Sequence, residues 1–114
     1  MADFTIKRND LLPVLEAVLK DADGQPVNLT DAVSCAFHMR LESDQSMTVE
    51  DGVCSFDADR LTGKVLYAWA AGDPVDTAVE GTYLGEFEIT WPASKIQTYP
   101  SIGYIDIEIV EDLS

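Results

Sequence analysis

Along most of this chain apolar and polar positions alternate with a period of two, the spacing that sends successive side chains to opposite faces of a β-strand. The cleanest run is residues 33 to 42, where Val33, Cys35, Phe37, Met39 and Leu41 alternate with Ser34, Ala36, His38, Arg40 and Glu42. Further on, Val65, Tyr67 and Trp69 share a face. Tyr83, Phe87, Ile89 and Trp91 oppose Glu86, Glu88 and Thr90, and Ile105, Ile107 and Ile109 oppose Asp106 and Glu108. Weaker runs predict a first strand in FTIKRN at residues 4–9, a short edge segment at residues 27–29, a short strand around Met47 to Val49 and another opening the stretch VCSFDADRLTG at residues 53–63. Turn formers separate them: Asp23-Gly24 with Pro26, Gly63, and Gly72-Asp73-Pro74. About seven or eight short strands with such turn spacing predict an all-β fold, an antiparallel β-sandwich. The expected core is Val33, Cys35, Phe37, Met39, Val65, Tyr67, Trp69, Phe87, Ile89, Ile105 and Ile107.

Residues 11 to 20, LLPVLEAVLK, interrupt the alternation. Their apolar positions include the i, i+3, i+4, i+7 set of an amphipathic helix, with Asp10 as a candidate N-cap and Pro13 tolerable in a first turn. Leu15, Ala17 and Leu19 also alternate with Glu16, Val18 and Lys20, and a hairpin-type turn follows at once. Pattern alone leaves helix and strand level. As a strand, the stretch is apolar on both sides. Leu11, Leu12, Val14 and Val18 then need cover, from loops of the same chain or from a partner.

With 114 residues and no linker or repeat, residues 1–114 are expected to form one domain. No apolar run reaches the ~18 residues of a membrane span, and the N-terminus lacks a signal-type apolar segment, so synthesis in a cytoplasm is expected. Cys35 and Cys54 then read as reduced, mostly buried residues. Net charge is −14, from 21 acidic and 7 basic residues. That argues against a nucleic-acid or anionic-membrane surface, both of which need basic patches. Spread over the whole chain, the acids read first as solubility and self-repulsion, with a basic-faced partner or mimicry of DNA charge as sharper readings.

Candidate chemistry is sparse. His38 is the one histidine and sits on the polar face of its strand, away from Cys35. Zinc sites need three or four N/S donors, so no metal is expected. The Asp-rich segments at 21–24 and 57–60 lack the remaining ligands of a calcium loop and read as turns. Glu86 and Glu88 share a strand face and read as a solvated face rather than an acid/base pair. Trp69, Trp91, Tyr67, Tyr83 and Phe87 are a candidate sugar platform, but their alternation places them in the core first. No catalytic residues and no cofactor are expected.

Four segments, KRNDLLPVLEAVLKDADGQPVNLTDAVSCAFHM, DRLTGKVLYAWAAGD, EGTYLGEFEITWP and QTYPSIGYIDIEIVEDL, carry a shared pattern. It runs from a basic-x-Asp start through Asp-x-Asp-Gly-x-Pro-Val-x-Leu, Thr-Gly-Lys-Val-x-Tyr-x-Trp and Gly-x-Tyr-x-x-Glu-Phe to Tyr-Pro before a closing Gly-Tyr-Ile strand. In this order the chain resembles small structural proteins of tailed-phage virions, and the N-terminal domain of siphophage baseplate upper proteins. The resemblance implies an immunoglobulin-like antiparallel β-sandwich in which residues 11 to 20 form a strand. It implies a non-enzymatic virion component at the connector or neck, tail or baseplate, or in an appendage adaptor. Such a component docks with other virion proteins, in several copies per particle, and needs no small-molecule substrate. Baseplate upper proteins continue into a receptor-binding region, whereas this sequence stops at Ser114, which implies a free-standing module. Lys7 and Arg8, with Leu11, Leu12, Val14 and Val18, are the expected partner contacts. The alternatives are a free acidic inhibitor or DNA mimic, and a carbohydrate-binding module of a host-recognition device.

Overall fold

Alternation translates into strands through most of the chain. The computed structural model describes residues 3–7, 12, 14–43, 47–70, 80–100 and 103–110. Among these lie β1 (Phe4–Lys7), β2 (Leu15–Val18), β3 (Ser34–Leu41), β4 (Met47–Val53), β5 (Ser55–Phe56), β6 (Lys64–Tyr67), β7 (Gly81–Trp91), β8 (Lys95–Tyr99) and β9 (Ile105–Val110). The only helical segments among the described residues are two short 3-10 turns, Arg60–Thr62 and Pro92–Ser94. The protein is all-β.

The strands form two sheets, β1-β9-β7-β3-β4 with β8 also on β7, and β2-β6-β5. β7 is the spine of the larger sheet. β3 lies along one of its edges, from Ser34 opposite Thr90 to Leu41 opposite Tyr83. Its other edge is divided, with β9 against residues 81–85 and β8 against residues 87–91. Every pairing is antiparallel except that of β1 with β9, which is parallel.

An aromatic cluster joins the sheets. On the large sheet Phe37 lies 5.1 Å from Phe87, centroid to centroid. It also lies 4.9 Å from Tyr67 on β6 and meets Trp69 edge-on at 6.2 Å. Tilted and edge-on contacts of this kind suit ring quadrupoles and fill the space between two facing sheets. Leu15, Val65, Ile89, Ile107 and Ile109 complete the same buried cluster.

Local chemistry sets the turns. The Asp21 carboxylate accepts the N–H groups of Asp23 and Gln25, Gly24 takes a positive φ of 79°, and Lys20 bridges Pro26 across the loop. The Asp59 side chain accepts the Leu61 N–H and caps the first 3-10 turn, which Gly63 ends at φ 69°. Arg60 donates to the carbonyls of Leu29 and Ala32, both at 3.2 Å, and its guanidinium stacks 4.1 Å from the Phe56 ring centroid. That clamp seats Leu29, which the alternation had not placed in the core, at full burial.

Two expected core residues need correction. Val33 has the parity of Cys35 but is 64% exposed, because β3 begins only at Ser34 and Leu29 and Ala32 fill that end of the core instead. Ile105 is only half-buried, because it opens β9 beside a surface groove. The short strand expected around Met47 to Val49 runs on to Val53, with register shifts against β3 around Met39. The Gly72-Asp73-Pro74 turn lies outside the described residues.

Candidate docking site

Within residues 11 to 20 the strand covers only Leu15–Val18, with Leu11 and Pro13 outside the described residues. Leu15 and Leu19 enter the core, Ala17 is half-buried, and Glu16, Val18 and Lys20 face outward. Period two therefore prevails over the helical spacing once β6 offers a pairing edge, with Leu15 opposite Tyr67 and Val18 opposite Lys64. Among the described residues β2 pairs along one edge, with β6, and no strand pairs with its outer edge.

Beside that edge runs a groove of about 420 Å³, floored and walled by Ala17, Val18, Leu19, Tyr99, Pro100, Tyr104 and Ile105, with Asp3 and Lys20 at its rim. It lies between β2 and the break that separates β8 from β9. Its volume falls within the ~300–1,000 Å³ typical of ligand clefts. The Tyr99 hydroxyl is held above the ordinary tyrosine range, first by burial and then by the nearby Asp21 carboxylate.

The expected contact residues fall unevenly around this site. Val18 is 44% exposed and lines the groove, Leu12 is 72% exposed just before the strand, and Val14 is half-buried. Lys7 is exposed at the end of β1, opposite Val110. Arg8 and Leu11 lie outside the described residues. Alternation did not single out Tyr99, Pro100 and Tyr104 as site residues. The available signal was the Tyr-Pro pair, since a proline at the end of a strand marks an interrupted edge.

A second constellation occupies the outer face of the large sheet. His38 is mostly covered rather than a plain surface histidine. Its Nδ1 accepts the Asp51 N–H at 3.2 Å, so the neutral ring carries its proton on Nε2, which lies 3.8 Å from both Asp51 and Glu88 carboxylates. Arg40 donates to the Tyr104 hydroxyl at 3.3 Å and stacks 5.1 Å from that ring's centroid. A small cavity of about 80 Å³ lies between His38, Arg40, Leu84, Glu86 and Tyr104. Tyr104 thus borders both this cavity and the groove.

Other candidates disperse. Trp69 is only 5% exposed, and Tyr67, Tyr83 and Phe87 are buried with it, so these rings pack the core and do not form a sugar platform. Trp91 is half-buried and donates to the Gln97 side chain at 3.2 Å. Among the described residues no three His, Cys, Asp or Glu side chains gather in a metal-like group. No known protein-family model matches this chain, and no curated protein matches it.

Proposed function

We propose that this chain is a docking module of a tailed-phage virion, an immunoglobulin-like sandwich that binds neighbouring virion proteins through the outer edge of β2 and the groove beside it. The observation that carries the reading is the conjunction of a strand edge with no partner among the described residues, a mainly apolar groove beside it and the exposed Val18 and Leu12. An extended segment from a partner would add main-chain hydrogen bonds to β2 and place alternate side chains in the groove. The four-segment sequence resemblance points to the same class of protein.

The strand order supports the finer fold assignment. Taking β8 and β9 together as one interrupted strand G, β7 as F, β3 as C and β4 as C′ gives a G-F-C-C′ sheet. Facing it, β2, β6 and β5 stand as B, E and D, which is the variable-type immunoglobulin arrangement. The net charge of −14 disfavours close self-packing and favours a partner with a basic face. Mass spectrometry and immunogold labelling of purified particles test the reading; a protein abundant in infected cells but missing from the particle refutes it.

A second reading, a free acidic inhibitor that imitates DNA, draws on acids along the large sheet: Glu86 and Glu88 on β7, and on β9 Asp106 opposite Leu84 and Glu108 opposite Thr82. Co-purification with a nucleic-acid-binding host protein, displaced by DNA, would favour it.

A further inference from the structure

The two cysteines stand opposite one another. Ala36 pairs with Val53 and Phe37 with Gly52, so the same register sets Cys35 against Cys54. The Cys54 N–H donates to the Cys35 carbonyl at 3.0 Å, which fixes that register at the cysteines themselves. Opposed residues of an antiparallel pair project to the same side, and here it is the inner one: Cys35 is buried in the core and Cys54 packs against it. Their α-carbons stand ~4.5–5.5 Å apart in any such pair, inside the ~4.4–6.8 Å that a disulfide spans. Both thiols are free. Cys54 also has a particular place in the chain. It is the single residue between β4, in the large sheet, and β5, in the small one.

We propose that Cys35 and Cys54 are a latent disulfide, closed by a low-molecular-weight disulfide such as oxidised glutathione into a bridge at the point where the chain crosses between sheets. In the first step the Cys54 thiol, the less buried of the two, gives its proton to solvent and its sulfur attacks a sulfur of oxidised glutathione. The glutathione S–S bond breaks and one glutathione leaves as a thiol. Cys35, likewise deprotonated, then attacks the Cys54 sulfur, forms the Cys35–Cys54 bond and expels the second glutathione. The protein loses two electrons and two protons, and oxidised glutathione becomes two thiols.

The environment sets the speed. Hydrogen bonding to Cys35 and burial push the Cys54 thiol far above its ordinary value, so little thiolate is present near neutrality. Closure is therefore slow at neutral pH and faster in alkaline buffer. A reducing cytoplasm keeps the pair open and an oxidising medium closes it, whatever the module docks to.

The test equilibrates the full chain in glutathione redox buffers, from the native reduced protein and from protein refolded in the same buffer. Thiol titration after denaturation and peptide mass mapping then give the state of each cysteine. The expected result is joint loss of both thiols to one intramolecular bridge, with no glutathione retained, and convergence of the two approaches. Closing a loop of about 20 residues should raise the folding constant by roughly 200- to 300-fold, read from urea denaturation of bridged and reduced protein. In Cys35→Ser, glutathione should instead remain on Cys54. Thiols that stay free from both directions, a wild-type chain that stops at the glutathione adduct, or a bridged form less stable than the reduced one would each overturn the proposal.

Discussion

Leu15 and Val18 sit on the same four-residue strand and do opposite things. Leu15 is buried against β6 and the aromatic cluster, so Leu15→Ala should cost about 2–5 kcal/mol in urea denaturation. Val18 faces the groove and solvent, so Val18→Asp should change stability by about 1 kcal/mol or less while abolishing incorporation into particles. If Val18→Asp unfolds the isolated protein, the residue belongs to the core and the docking reading loses its anchor. Gly63 shows a backbone constraint of another kind. At φ 69° an added Cβ would meet the Leu19 carbonyl at 2.7 Å and the Val27 nitrogen at 3.0 Å. Backbone cannot swing aside as a side chain can, so Gly63→Ala should cost more than the ~1–2 kcal/mol of the left-handed conformation alone. Tyr99 gives a pH signature. Its hydroxyl is raised above the ordinary 10.0, so the fold favours the neutral phenol. The stability this contributes is fully present below the unfolded-state value and is lost as pH rises through the higher folded-state value. Urea denaturation from about pH 9 to 12 should show a decline in stability that Tyr99→Phe reduces.

Among the elements, β3 and β7 were legible from alternation because each is long and has one face on the core. β2 was not, since its apolar residues fit two periods at once, and only the edge offered by β6 decides between them. Leu29 and Ala32 were invisible for a related reason. They are buried by the Arg60 clamp, a contact from 28 to 31 residues away that no local pattern encodes. Val33 failed in the other direction, since parity says which side a residue faces but not whether the opposite sheet reaches that far. The docking site was half legible. Val18 and Leu12 announced themselves as surplus apolar residues on a strand, whereas the far wall of the groove is built by Tyr99, Pro100 and Tyr104 at the break between β8 and β9. Sequence distance hides that meeting, because β2 and the β8–β9 break belong to different sheets.

At the scale of the molecule, charge and topology govern behaviour. With a net charge of −14, copies should repel, so sedimentation at low salt should show a monomer, and binding to a basic partner should weaken steeply with added salt. Stable large oligomers at low salt would contradict this. The parallel pairing of β1 with β9 has a mechanical consequence. Phe4 lies beside Ile107 and Lys7 beside Val110, so the chain enters at one end of this ribbon and leaves at the other. A pull on the two ends of the chain loads the ribbon in shear, and its hydrogen bonds must give way together instead of unzipping singly. A module in a tail or appendage that is stretched during attachment would thus meet the load at its strongest geometry. Single-molecule stretching through the two ends should require markedly more force than stretching across β3 and β4, where the same sheet opens like a zip.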